Sequence, residues 1–172
     1  MVIKRDLTFR NKILSTHGGE TLQRCYQCGS CTGGCPTSFY TSFRVRKIVH
    51  QSLLGLRDDV LSGKDIWMCT VCFTCQERCP TGVEVTDLML ALRNLATEEG
   101  YAPALLKNVL KFIFETGHEF PFTGYTRKLR RELGLSETPP LTIGNPKALE
   151  EIQKLMKMAG ATRLLKSSEM KK

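Results

Sequence analysis

Two twelve-residue segments carry all eight cysteines of this chain. Residues 25–36 read CYQCGSCTGGCP and residues 69–80 read CTVCFTCQERCP, so both segments follow the same spacing, C-x2-C-x2-C-x3-C-P. Thiolates at such short intervals are soft ligands that suit transition metals and iron–sulfur clusters. The two cysteine blocks therefore indicate metal or redox chemistry.

The repeated run is typical of cubane clusters in ferredoxins that hold two of them. Its first three cysteines can converge on three corners of a cube, whereas the fourth, followed by proline, points away toward another site. Neither block can complete a cluster alone, so we expect two [4Fe–4S] clusters that exchange their last ligands. The expected ligands of the first cluster are Cys25, Cys28, Cys31 and Cys79. The expected ligands of the second are Cys69, Cys72, Cys75 and Cys35.

Disulfides and zinc are the alternative uses of these cysteines. The start of the sequence lacks the apolar stretch of a secretory signal, and in a reducing compartment such patterns more often bind metal than pair as disulfides. Zinc would need two C-x2-C pairs per ion and gives no reason for a third equally spaced cysteine in each block. Because all eight ligand positions are filled, the clusters are expected to carry electrons and not to bind substrate.

Residues beside the cysteines are expected to support the clusters. Gly29, Gly33 and Gly34 would let the backbone approach the inorganic sulfides, and backbone N–H groups that bond to them raise the reduction potential. The side chains expected to exclude water are Tyr26, Trp67, Val71 and Phe73.

The remaining sequence offers no second kind of chemistry. His17, His50 and His118 do not stand at metal-ligand spacing from a carboxylate or another histidine, so surface or helix-cap roles are expected. No glycine-rich phosphate loop follows a strand, which argues against a nucleotide or flavin site. We therefore predict no catalytic residue on this chain.

The charge balance is compatible with bound clusters. The formal net charge of +8 counts cysteines as neutral, whereas two clusters with their thiolates would lower it to roughly +4. This weakens a nucleic-acid interpretation. The basic segment TRKLRREL (126–133) is interpreted either as a solvated helix face or as a surface for an acidic protein partner.

The segments around the blocks favour an all-α architecture, because no alternating strand pattern separates them. Val45, Ile48, Val49, Leu53 and Leu56 recur at helical offsets and predict one amphipathic helix between the blocks.

Four further helices are predicted after the second block, and the basic segment TRKLRREL is the third of them. The first has Thr86 as its N-cap and Leu88, Leu92 and Leu95 on one face. The second opens at Pro103, and its wide apolar stripe implies burial on more than one side, either in the core or against a partner. The last begins at Asn145–Pro146.

These elements suggest two regions. Residues 1–117 are predicted to form the two-cluster domain with an N-terminal arm. Residues 118–172 are predicted to form a C-terminal helical extension that docks a partner, with a mobile or self-packed tail as the alternative. No apolar run reaches the length of a membrane span, so a soluble, cytoplasmic protein is expected.

Two complete cysteine runs separated by a helix in an all-helical chain resemble the α-helical ferredoxin domain. Within that family the chain resembles the C subunit of heterodisulfide reductase, through the segments CYQCGSCTGGCP, FRVRKIVHQSLLGL, IWMCTVCFTCQERCP, VEVTDLMLALRNLA and LGLSETPPL. It lacks the plant-type cysteine segment of succinate dehydrogenase subunits and the Cys-Cys-Gly domain usual in glycolate oxidase subunits.

The resemblance implies an electron-transfer subunit. In that family, a flavin-containing subunit takes electrons from a hydrogenase or formate dehydrogenase module, the C subunit relays them, and a third subunit reduces a disulfide at Cys-Cys-Gly-bound clusters. In methanogenesis the disulfide is coenzyme M–coenzyme B, and flavin-based bifurcation couples its reduction to that of ferredoxin. An iron–sulfur subunit of another sulfur- or quinone-linked oxidoreductase and a stand-alone soluble ferredoxin remain alternatives.

Overall fold

A computed structural model describes residues 4–139 and 142–166. Within these ranges the chain is helical and contains no strand, as the sequence predicts. The chain divides into two compact units, Met1–Tyr101 and Ala102–Lys172. Both cysteine blocks lie in the first unit.

The first unit contains seven α-helices in its described part. Their bounds are α1 Leu7–Leu14, α2 Ser30–Gly33, α3 Pro36–Tyr40, α4 Val45–Leu54, α5 Arg57–Leu61, α6 Thr74–Glu77 and α7 Val85–Glu98. Short 3-10 helices at Gly19–Arg24 and Asp65–Met68 lead directly into the first cysteine of each block.

Helices α1, α4 and α7 enclose the core of this unit. The predicted apolar face of α7 is buried, with Leu88 and Leu92 fully shielded and Leu95 at 5% exposure. Each such side chain contributes about 1.5–3 kcal/mol when it leaves water. Cys35 and Cys75 belong to the same buried cluster of residues, so the core and the cysteine blocks are one continuous structure.

The single helix predicted between the blocks is wrong, because the chain breaks it at Gly55. Gly55 has a φ of 72° and ends α4, while the N–H of Leu56 returns to the carbonyl of Gln51 at 2.9 Å. A Cβ at Gly55 would lie 2.6 Å from the carbonyl oxygen of Asp6. Gly55 therefore both turns the chain into α5 and admits the N-terminal segment.

The predicted N-cap of α7 is also wrong, because α7 begins at Val85 and Thr86 lies inside it. The cap comes from the second cysteine block. The side-chain Oε1 of Gln76 accepts hydrogen bonds from the N–H groups of Thr86 at 3.0 Å and Asp87 at 3.4 Å. This frees the Thr86 hydroxyl for another contact, and it fixes the block to the helix that follows it.

The second unit consists of helices in its described part. Their bounds are α8 Ala104–Thr116, α9 Gly124–Glu132, α10 Pro146–Met158 and α11 Ala161–Lys166, with a 3-10 helix at Thr142–Gly144. The side chain of Asn145 caps α10 through the N–H of Ala148, so the predicted start of this helix is confirmed.

The division between the units falls sixteen residues earlier than the predicted boundary at 117 and 118. The physical reason is that α8 contacts α10 and α11. The Nε2 of Gln153 donates to the carbonyl of Phe114 at 3.0 Å. Within the described part of this chain α8 is not buried on more than one side, since Leu105 is 71% and Leu106 45% exposed, and its burial against a partner stays a prediction. A docking role for residues 118–172 stays a prediction.

Across the described ranges, every helix is too short or too polar to cross a lipid bilayer.

Candidate metal centres

The eight cysteines line two cavities, and each cavity takes three cysteines from one block and one from the other. Cys25, Cys28, Cys31 and Cys79 line the first cavity. Cys35, Cys69, Cys72 and Cys75 line the second. This is the grouping expected from the sequence.

The two blocks have the same local structure. Each is entered from a 3-10 helix, and each places a four-residue helix, α2 or α6, at the third cysteine. These two short helices pack against each other, which brings the blocks side by side. The close approach of α2 and α6 is what allows one block to reach the cavity of the other.

The backbone is left-handed at equivalent positions between the cysteines of both blocks. In the first block these residues are Gln27 (φ 64°) and Gly29 (φ 89°), and in the second they are Val71 (φ 54°) and Phe73 (φ 61°). Outside glycine such conformations are unfavourable by roughly 1–3 kcal/mol each. Alternating left- and right-handed residues form a concave row of N–H groups that suits an anionic ligand.

Backbone and side-chain groups hydrogen-bond to the sulfur atoms of the first cavity. The backbone N–H of Val83 donates to Sγ of Cys79 at 3.2 Å. The side-chain Nε2 of Gln27 donates to Sγ of Cys25 at 3.3 Å. Sγ of Cys28 lies 3.4 Å from the Ser30 hydroxyl.

In the second cavity, the sulfur contacts come from threonine hydroxyls. The Thr86 hydroxyl lies 3.6 Å from Sγ of Cys75, and the Thr74 hydroxyl lies 3.5 Å from Sγ of Cys72. Arg93 of α7 fixes the backbone at the start of this block, because its guanidinium donates hydrogen bonds to the carbonyls of Ile66 and Cys69. The two hydroxyls can each stabilise a thiolate by donating to it.

Burial and hydrogen bonding give the free thiols different acidities. Hydrogen bonds at Ser30 lower the pKa of Cys28, and hydrogen bonds at Thr74 lower the pKa of Cys72. Burial raises the pKa of Cys31 to about 11, and burial also raises the pKa of Cys75. Burial opposes ionisation of Cys79 too, but the bonds from Val83 and Thr81 outweigh it and lower its pKa.

The described linings of the two cavities differ in charge, because only the first contains an arginine. Arg46 lines the first cavity, whereas the apolar residues Phe43, Val45 and Met89 line the second. A nearby cation stabilises the extra electron of a reduced cluster. The arginine therefore favours the reduced state in the first cavity more than in the second.

The predicted water-excluding side chains have mixed positions. Trp67 is partly buried against the core and lies under the guanidinium of Arg93, 5.8 Å from the ring centroid. Tyr26 lines the first cavity but is itself 61% exposed, and Phe73 is 41% exposed. Both side chains are thus more exposed than a water-excluding role implies, and Phe73 itself has a left-handed backbone.

The residues around both cavities fit [4Fe–4S] clusters. Each cavity offers four thiols, and its described lining contains no histidine or carboxylate. All eight cysteines are free thiols. Four thiolates are the usual ligand set of such a cluster.

Sequence reasoning missed several residues that contact the sulfur atoms. The contacts of Val83 and Thr86 could not be read from spacing, because they depend on how α7 packs. The hydroxyl contacts within the blocks have a weak sequence pattern, since a serine or threonine stands two residues after Cys28, Cys72 and Cys79. A second missed group is His17, which lies beside Glu84 and Asp87.

Comparison with known proteins identifies the first unit's cysteine region. Residues 21–83 match the family model described as a 4Fe-4S dicluster domain. The chain therefore carries two [4Fe–4S] clusters, as the sequence predicts.

Named relatives match over most of the chain. It is 42% identical over 160 residues to the C subunit of the H2:CoB–CoM heterodisulfide, ferredoxin reductase of Methanothermobacter marburgensis, covering 93% of this chain and 86% of the relative. It is 46% identical over 138 residues to the iron–sulfur C subunit of the CoB–CoM heterodisulfide reductase of Methanopyrus kandleri, covering 80% and 72%. Identity to the C subunit of the ferredoxin:CoB–CoM heterodisulfide reductase of Methanosarcina mazei is 40% over 146 residues, covering 85% and 89%.

Proposed function

The chain belongs to the family of the heterodisulfide reductase C subunit, an iron–sulfur protein, and we propose that it relays electrons from a flavin-containing subunit to a disulfide-reducing subunit. The terminal acceptor in this proposal is the coenzyme M–coenzyme B heterodisulfide that the relatives' names specify. The chain itself carries no substrate site and acts as a non-catalytic component of the oxidoreductase complex.

The observation that carries the proposal is the division of the cysteines between two cavities in one packed core. Each cavity has a complete set of four thiols, which leaves no ligand position for a substrate. We assign Cys25, Cys28, Cys31 and Cys79 to one cluster and Cys35, Cys69, Cys72 and Cys75 to the other. Bound [4Fe–4S] clusters supply one-electron carriers that need no proton or substrate binding.

The protein's own residues hold and tune these carriers. The backbone N–H of Val83 donates to Sγ of Cys79, and the Thr86 hydroxyl lies within reach of Sγ of Cys75 and can donate to its thiolate. Such bonds favour the reduced, more negative state. Arg93 anchors the second block by its backbone carbonyls. Because these donors sit on a packed helix or directly before it, they move little when the charge at the sulfur atoms changes.

In this proposal, electrons enter and leave the protein near its exposed cysteines. Cys28 in the first cavity and Cys72 in the second are both exposed. In the proposed complex each would face a neighbouring redox protein. A hydrogenase or formate dehydrogenase module would supply electrons to the flavin-containing partner.

Anaerobic purification of a tagged chain from its native cells tests this function. We expect a flavoprotein and a Cys-Cys-Gly-containing protein to co-purify in amounts equal to the tagged chain, as measured by mass spectrometry and flavin content. Recovery of the chain alone, with both clusters intact, would contradict the relay and favour a free ferredoxin.

A further inference from the structure

A histidine and two carboxylates that line neither cysteine cavity meet in the first unit. One ring nitrogen of His17 and one carboxylate oxygen each of Glu84 and Asp87 lie within 4.8 Å of one another. These residues are far apart in the sequence, on the turn after α1 and at the beginning of α7. Imidazole with carboxylates is a ligand set for first-row divalent metals.

The Glu84 carboxylate requires a partner that the described part of the protein does not provide. Its Oε2 atom is buried and accepts no hydrogen bond there. A carboxylate oxygen withdrawn from water without a partner is strongly unfavourable, and a second carboxylate nearby adds repulsion. A cation between Glu84 and Asp87 removes both penalties at once.

The three residues are held in place by their backbones. The Thr21 hydroxyl donates to the carbonyl of Gly18 at 2.7 Å and accepts from the N–H of Glu84 at 2.9 Å. A Cβ at Gly18 would lie 2.4 Å from Cβ of Asp87, so only glycine lets the turn approach the helix this closely. The turn that carries His17 is therefore locked to the start of α7.

Asp87 is oriented as well. Its Oδ2 accepts a hydrogen bond from Nε2 of Gln76 at 2.8 Å. Metal ligands are commonly held in orientation by such a hydrogen bond from a neighbouring side chain. An open cavity lined by His17 and Asp87, though not by Glu84, gives access from solvent to these two ligands. The nearby Lys12 is paired with Glu98 at 3.2 Å, which reduces its repulsion of a cation.

We propose that His17, Glu84 and Asp87 form a third metal site, distinct from the two clusters, that binds one divalent first-row transition-metal ion. Ligand atoms on one ion lie roughly 3–4 Å apart, so three atoms within 4.8 Å of one another need only a small closing movement. The exposed His17 side chain can make this movement by rotation. The ion would join the turn after α1 to the start of α7, and water would occupy its remaining positions.

Manganese binding to the holoprotein tests the proposal. With both clusters oxidised and diamagnetic, the signal of free Mn²⁺ is followed by electron paramagnetic resonance during a titration. We expect one saturable site per chain in the wild type and at least tenfold weaker binding in His17→Ala and Glu84→Gln. Zn²⁺ should displace Mn²⁺ at lower concentration than Mg²⁺ does, because imidazole favours zinc over magnesium.

Two matched variants serve as controls. His50→Ala removes another exposed histidine and Asp59→Asn another exposed carboxylate, and both should bind Mn²⁺ as the wild type does. His17→Ala removes an exposed side chain and should keep its full iron content, so it decides the question even if Glu84→Gln folds poorly. Wild-type affinity in His17→Ala, or no saturable site in the wild type, would overturn the proposal.

A thermal measurement gives an independent readout. An ion that binds only the folded state raises the melting temperature, so saturating Mn²⁺ should stabilise the wild type and the His50→Ala variant but not His17→Ala. An equal shift in all three proteins would also overturn the site.

Discussion

The backbone N–H of Val83 donates a hydrogen bond to Sγ of Cys79 at 3.2 Å. Cys79 is the last cysteine of the second block, yet it lines the first cavity, where Val83 lies as well. The segment between the second block and α7 therefore helps to build a centre whose other three cysteines come from the beginning of the chain.

Replacement of Cys79 by alanine should remove the cluster of the first cavity and leave the other. About half of the iron and acid-labile sulfide should be lost, and the spectrum of the reduced protein should match that of Cys28→Ala. Cys35→Ala should instead match Cys72→Ala. If Cys79→Ala shared its spectrum with Cys72→Ala, the assignment of ligands between the blocks would be refuted.

Thr86→Val should lower the reduction potential of the cluster in the second cavity. The change keeps the shape of a fully buried residue but removes the hydroxyl beside Cys75. A hydrogen bond worth about 0.5–1.5 kcal/mol corresponds to roughly 20–60 mV for one electron. Potentiometric titration followed by electron paramagnetic resonance measures the shift.

Thr97→Val is the matched control for this measurement, because the Thr97 hydroxyl bonds only to the carbonyl of Arg93 in its own helix among the described residues. Its potentials should equal those of the wild type. An unchanged potential in Thr86→Val would show that the hydroxyl does not act on Cys75.

Gly55→Ala should loosen the N-terminal segment. The new Cβ would meet the backbone of Asp6, and the residue would have to hold a φ of 72°. We expect the free energy of unfolding to fall by about 1–3 kcal/mol. Hydrogen exchange should accelerate at the Asp6 amide, which donates to Gly55, and through α1.

Gly124→Ala serves for comparison, since it lacks a positive φ and a Cβ there meets no atom within 4 Å. Its exchange pattern should stay that of the wild type. Equal protection of α1 in Gly55→Ala would mean that the contact with Asp6 does not restrain the N-terminal segment.

Thiol alkylation of the cluster-free protein should follow the acidities of the cysteines. Cys28 and Cys72 have lowered pKa values and are exposed, so at neutral pH more of each is thiolate and both should react first. Cys31 and Cys75 have raised pKa values, so their labelling should grow as pH rises, toward about 11 for Cys31. Peptide mass spectrometry resolves the order. Uniform labelling would show that the cluster-free chain does not keep this structure.

A chain that ends at Tyr101 should keep both clusters but lose its place in the complex. All eight cysteines and the core lie before this residue.

A chain that ends at Gly117 should be less stable than one that ends at Tyr101, because α8 would remain without α10 and α11. Iron content, melting temperature and co-purification of partners measure the three effects. Undiminished assembly after truncation at Tyr101 would contradict a docking role for the second unit.

The sequence predicted the parts of the fold that depend on local spacing. The buried face of α7 and the cap at Asn145 follow from offsets of a few residues. The break at Gly55 did not, because helical offsets continue across it to Leu56 and the reason for the glycine is a contact with distant Asp6.

The residues that tune the candidate site were harder to predict for the same reason. Thr86 fits a helix cap by residue type, but Gln76 takes that role and leaves the hydroxyl for Cys75. His17 meets Glu84 and Asp87 only after the chain has folded. Left-handed backbone at Val71 could not be predicted either, since branched residues normally avoid it.

The interleaving of the two blocks also sets an order in time during synthesis. The ribosome delivers Cys25, Cys28 and Cys31 long before Cys79, which follows Cys31 after roughly 50 residues and, at ordinary elongation rates, roughly 2–10 s. Throughout that interval the first centre consists of three thiols without a fourth. Its metal can be fully enclosed only after nearly half of the polypeptide has emerged, so maturation of the earliest cysteines waits for the latest one.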